Sequence, residues 1–190
     1  MFKDMEEYAK ENRVPIMLPD GIDYLCNLIK EKNIKSILEI GSAIGYSAIR
    51  MASIADDIKI TTIEKDIDRY KIAVNNIDKY GLNERINIIL DDALNTEIND
   101  EFDLIFIDAS KGNNINFFNK YSVNLKKNGI IVTDNLSFHG LVDNPSLAVT
   151  RNQRGLVKKI KNYIEFLDNN QEFVTDYVTI GDGIAISRRK

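Results

Sequence analysis

Apolar runs of five to seven residues recur along the chain, and between them apolar positions fall three or four apart. The runs at 36–40, 59–64, 86–91, 102–108, 129–134, 174–180 and 183–187 predict seven strands. Most are nearly continuous in apolar residues, as expected of strands covered on both faces. The intervening spacing predicts helices. Asp66 stands where an N-cap belongs, Ile67, Tyr70, Val74 and Ile77 repeat at helical spacing, and Gly81 closes the helix. Pro19-Asp20-Gly21 opens another, with Ile22, Leu25 and Ile29 on one face. A helix is expected between each of the first five strands and one more after the fifth. The last two strands then meet at Gly181-Asp182-Gly183, which reads as a hairpin turn. The predicted fold is α/β: an open, mostly parallel seven-stranded sheet with an antiparallel C-terminal hairpin.

The bulk properties narrow the field. A chain of 190 residues suits a single domain over 1–190, and 44% apolar content fills a sizeable core. The net charge of −4 gives no overall basic field, so any contact with nucleic acid must come from a local patch. Cys26, the single cysteine, forms no internal disulfide, which favours a reducing cytoplasm. Set among Leu25, Leu28 and Ile29, it reads as a small buried hydrophobe rather than a nucleophile. No apolar run approaches the roughly 20 residues that span a bilayer. The charged start, MFKDMEEYAKENR, is no signal peptide.

Ligands of open α/β sheets bind beyond the carboxyl ends of the strands. There the chain places Glu39, Gly41 and Gly45 after the first strand, Glu64 after the second and Asp91-Asp92 after the third. The fourth ends in Asp108 and the fifth in Asp134-Asn135. One such acid is usually a helix cap; five on one rim repel one another and call for something cationic. Gly41 and Gly45 permit a tight turn against a ligand, and Glu64, 23 residues after Gly41, stands where an acid bonds ribose hydroxyls. The spacing lacks the close glycine pair of a dinucleotide fingerprint, and Glu39 would crowd a pyrophosphate. A nucleoside carrying a sulfonium, S-adenosyl-L-methionine, fits better, with a dinucleotide as the competing ligand. Asp108, Asp134 and Asn135 offer three hard oxygen donors, the set Mg²⁺ takes alongside waters and substrate oxygens. A helix cap and an Asx turn would explain the same residues. Lys111, three residues after Asp108, is either a base beside a bound substrate or an exposed loop lysine.

These residues carry a resemblance. LEIGSAIGYS, TTIEKD, DDA, IFIDASK and TDN occur in the order seen in the magnesium-dependent, catechol O-methyltransferase-like family of S-adenosylmethionine methyltransferases. The resemblance covers essentially the whole chain. It implies a Rossmann-like class I methyltransferase with helices on both faces of the sheet. It implies Asp108, Asp134 and Asn135 as metal ligands and Lys111 with Asp108 as catalytic residues. It also implies a cofactor site of Met17, Glu39, Gly41, Ser47, Glu64, Asp92, Ala93 and Asp108. YAKENRVPIMLPDGI, IGYSAIRMA, RGLVKKI and GDGIAIS are similar, more specifically, to the bacterial tRNA 5-hydroxyuridine methyltransferases. Both groups usually carry more residues before the part matching 1–12, so an N-terminal helix used for dimer or substrate contact is expected to be shortened or absent.

Catechol and 5-hydroxyuridine both present two neighbouring oxygens, so one donor cage could serve either. A helical wheel puts Arg151, Arg154, Lys158 and Lys161 on one arc, opposite Leu156, Ile160, Tyr163 and Leu167. With Arg188-Arg189-Lys190 as a basic tail, this stripe suits RNA phosphates, although an ordinary solvated face looks the same. His139 is a substrate-loop contact or plain surface. The expectation is O-methylation of the anticodon-loop wobble uridine of tRNA, giving 5-methoxyuridine, by a cytoplasmic homodimer. The alternative is a small phenolic substrate of catechol or caffeoyl type.

Overall fold

The structure, a computed structural model, describes residues 2–190. Seven strands form one sheet: β1 (Ser36–Ile40), β2 (Lys59–Glu64), β3 (Ile86–Leu90), β4 (Phe102–Ile107), β5 (Leu125–Thr133), β6 (Phe173–Val178) and β7 (Ile184–Arg189). Their order is β3-β2-β1-β4-β5-β7-β6. β1 to β5 run parallel, while β7 is antiparallel to both β5 and β6. Six α-helices surround them: α1 (Lys3–Glu11), α2 (Pro19–Glu31), α3 (Tyr46–Ala52), α4 (Ile67–Lys79), α5 (Asn114–Tyr121) and α6 (Arg151–Asp168). No helix among the described residues is long and apolar enough to cross a membrane.

The continuous apolar strands have a direct cause. Successive strand side chains point to opposite faces, and both faces here are covered. Ile37, Leu104, Phe106, Ile130 and Val132 pack into a core with α2 and α3. Their neighbours Leu38, Ile105, Ile107 and Ile131 enter a second core with Phe118 and Tyr121 of α5 and Ile160, Tyr163 and Leu167 of α6. Each fully buried Leu or Ile contributes roughly 1.5–3 kcal/mol to this double layer.

Three local expectations need correction. No helix joins β3 to β4; residues 91–101 form turns. The cause is side-chain capture of backbone donors: Asp92 Oδ1 accepts from Leu94 N–H at 2.9 Å and Asp91 Oδ1 from Asp92 N–H at 2.8 Å. β5 begins at Leu125 rather than 129, with a register shift opposite Phe102 and Leu104. The basic tail is no free tail. Arg188 and Arg189 lie in β7, where Arg188 pairs with Asp176 and Arg189 sits 5.0 Å from the Phe173 ring centre.

Residues at the chain start do form a helix. α1 buries Met5 and Ala9 and is tied down by side chains: Asp4 accepts from Lys79 and from Tyr80 at 2.7 Å, and Glu6 accepts from Tyr46 at 2.7 Å. The Lys79 bond, seconded by Tyr80, holds the Asp4 carboxyl down at about 2.

Candidate active site

At the carboxyl ends of the strands lies a cleft of about 450 Å³, within the usual range for a small ligand. The turn after β1 forms its floor. Gly41 has φ +95°, and a Cβ on it would lie 2.8 Å from Asp108 O, so only glycine lets the ends of β1 and β4 touch. Gly45, at φ +82°, N-caps α3. Glu64 braces this turn: its Oε2 accepts from Ala43 N–H and its Oε1 from Asp66 N–H, each at 2.8 Å. Each oxygen keeps a lone pair for another donor.

Met17, Gly41, Ser47, Glu64, Asp92, Ala93 and Asp108 all line the cleft. Glu39 does not. It is fully buried behind Ser47, and its two oxygens accept from Ser47 Oγ and Thr62 Oγ1, each at 2.5 Å. Burial, against the pull of those two hydroxyls, raises its carboxyl to about 7. Glu39 therefore reaches the cleft only through Ser47, whose hydroxyl it orients.

The second half of the cleft gathers the oxygen donors. Asn135 Nδ2 lies 3.2 Å from Asp108 Oδ1 and 2.8 Å from Asp134 Oδ2. Burial lifts Asp134 to about 6, and burial together with the Asp134 charge lifts Asp108 well above the usual carboxylate range. Asp134 Oδ1 is buried without a hydrogen-bond partner among the described residues. Two carboxylates that resist sharing their charge, plus an oxygen with nothing to accept from, are what a divalent cation would satisfy. Turning the Asn135 amide over, which exchanges its N and O, completes a three-oxygen set. No three His, Cys, Asp or Glu among the described residues form such a group, because the third donor here is an amide. Lys111, at the start of the short 3₁₀ turn Lys111–Asn113, lines the same cleft, and its charge lowers the pKa of both aspartates.

Some lining residues escaped the sequence reading. Ser42 Oγ is buried beside the glycine turn without a partner among the described residues, and Tyr46 and Phe117 add aromatic wall. Asp182 was visible only as the middle of a turn signal, yet it lines the cleft and holds His139, another lining residue. On α6, Arg151, Arg154, Lys158 and Lys161 are exposed and in no ion pair among the described residues. Val157, Ile160, Tyr163 and Leu167 form the helix's buried side.

A cleft at the strand ends over a glycine turn, with Glu64 on one side and an oxygen-donor trio on the other, is set in a Rossmann-like α/β methyltransferase fold. The chain matches the O-methyltransferase family over residues 1–190 and belongs to it; the protein is an S-adenosylmethionine-dependent O-methyltransferase. A caffeoyl-CoA O-methyltransferase of Populus kitakamiensis is 30% identical over 193 residues, 97% of this chain and 82% of the relative. A Staphylococcus aureus crystal structure, provisionally assigned as a caffeoyl-CoA O-methyltransferase, superposes with a TM-score of 0.95. It is 39% identical, over 100% of this chain and 92% of that one. An O-methyltransferase from Bacillus cereus in complex with S-adenosylhomocysteine gives a TM-score of 0.84 at 25% identity, over 100% and 90%. None of these three is named for tRNA, and two carry caffeoyl-CoA names.

Proposed function

We propose that the protein methylates one oxygen of a vicinal oxygen pair with the help of a divalent cation, on a small phenol of catechol or caffeoyl type. The observation that carries this reading is the Asp108–Asp134–Asn135 trio with its unpartnered Asp134 oxygen, set beside Lys111 in the cofactor cleft. A cation bound there supplies positive charge that lowers the pKa of the acceptor hydroxyl and fixes its direction. Asp108, Asp134 and Asn135 hold the acceptor side. Met17, Ser47 and Glu64 hold the methyl donor, with Glu64 bonding the ribose. Lys111 Nζ, acting as the free amine, takes the hydroxyl proton and becomes the ammonium as the oxygen attacks the methyl carbon; the carbon–sulfur bond breaks and the thioether leaves neutral. Holding oxygen, carbon and sulfur in line supplies much of the acceleration.

A second reading has its own observation. The exposed, unpaired cations of α6 suit the phosphates of tRNA, whose 5-hydroxyuridine presents the same oxygen pair. Two assays decide. Turnover of free catechol or caffeoyl compounds, abolished by EDTA and by Asp134→Ala, supports the first reading; full activity in excess EDTA removes the cation. Nucleoside mass spectrometry of tRNA from cells with and without the gene decides the second, which requires 5-methoxyuridine to disappear with the gene.

A further inference from the structure

The loop that follows the oxygen-donor trio is held in a conformation its residues disfavour. Asn135, Phe138 and His139 have φ of +68, +49 and +56°. Asparagine tolerates this left-handed region, but an aromatic such as Phe138 enters it only when its surroundings impose it. The β6–β7 turn imposes it here. Leu136 N–H donates to Gly183 O at 3.0 Å and Ser137 N–H to Asp182 O at 2.7 Å. His139 N–H donates to Asp182 Oδ1 at 2.5 Å. Gly183, at φ +83°, permits the approach, because a Cβ there would stand 3.0 Å from Ser137 N.

Asp182 is the centre of this grip. Its side chain is 5% exposed. Its Oδ2 is buried with no hydrogen bond among the described residues, and His139 Nδ1 lies 3.6 Å away. The same turn is pinned from behind, where Gly181 N–H donates to Asp20 Oδ2 at 3.3 Å. One buried carboxylate thus joins the hairpin turn to the segment that continues directly from Asp134 and Asn135.

We propose that Asp182 is a positioning residue for the acceptor side of the cleft: its carboxylate, through the backbone N–H of His139, fixes how Asp134 and Asn135 present their oxygens. This rests on the reading of Asp108, Asp134 and Asn135 as a cation's donors. Ser47 and Glu64, on α3 and β2, lie outside the gripped segment, so the donor half of the cleft is independent of it.

The test titrates Mn²⁺ alone, and S-adenosylhomocysteine separately, into the full chain and two variants by calorimetry. Asp182→Ala weakens Mn²⁺ about 10–100-fold, as loss of an outer partner of a metal site does, and changes S-adenosylhomocysteine less than about twofold. Asp182→Asn keeps an oxygen for His139 N–H and holds Mn²⁺ within about threefold of wild type. Unchanged Mn²⁺ affinity in Asp182→Ala overturns the proposal. So does an asparagine variant as weak as alanine, which would assign the loss to charge. Equal weakening of both ligands overturns it too, as a general loss of fold. A wild-type chain that binds no Mn²⁺ refutes the cation reading itself and this role with it, a result distinct from the other three.

Discussion

Lys111 is the residue on which the proposed chemistry turns. If its amine takes the proton, Lys111→Ala lowers kcat about 10²–10⁴-fold, the usual contribution of a general base, while S-adenosylhomocysteine still binds. The loss shrinks as pH rises, because a phenol near a cation ionises unaided. Single-turnover rates across pH at saturating acceptor check this; a near-normal rate at neutral pH removes the base. Glu39 yields a different expectation. Its folded pKa is raised, from 4.5 to about 7. A raised pKa makes the protonated form the favoured one in the fold, so this stability is present below about 4.5 and is lost as pH rises through about 7. The loss is on the order of 3 kcal/mol. Glu39→Gln, permanently neutral, flattens the fall of melting temperature between pH 5 and 8 in EDTA; an unchanged profile counts against the burial argument. The rim acids were legible because strand ends can be found from apolar runs. Glu39 was misplaced because its position beside a glycine turn is visible in sequence, whereas the Ser47 and Thr62 hydroxyls that claim both its oxygens are not.

The elements show where reading by pattern stops. β1 and β2 match their apolar runs because period-independent runs and turn residues bound them. The missing helix between β3 and β4 was not legible, since Asp91 and Asp92 spend their side chains on local backbone amides, a choice spacing does not reveal. For α6 the periodicity gave the right faces, but not the work of Arg154, which donates to Val149 O at 2.7 Å and holds the preceding loop. The clean probe of this helix is therefore Lys158→Glu with Lys161→Glu. If RNA is the acceptor, the pair raises KM for tRNA and flattens its dependence on salt, while turnover of a free phenol stays unchanged. Equal loss on both acceptors makes the stripe structural.

At the scale of the whole molecule, the sheet separates two cores and leaves its carboxyl rim as the one place where five strands can deliver polar groups together. This much followed from the chain's alternation of strand and helix. How α1 docks on α3 and α4 did not, because its hold depends on partners remote in sequence. Asp4 reaches Lys79 and Tyr80, and Glu6 reaches Tyr46 in the first turn of α3, against the cleft wall. The Asp4–Lys79 tie is charged and faces water: the two side chains are 42% and 61% exposed. Such pairs are worth at most about 1 kcal/mol each and weaken with added salt. The hold on α1 thus loosens as ionic strength rises, and if its release gates the cleft, spent S-adenosylhomocysteine escapes faster in salt. Stopped-flow displacement should show that escape quickening between 50 and 500 mM salt, about threefold or more, with the gain gone in Asp4→Asn. A salt-insensitive escape would mean the product leaves without disturbing α1.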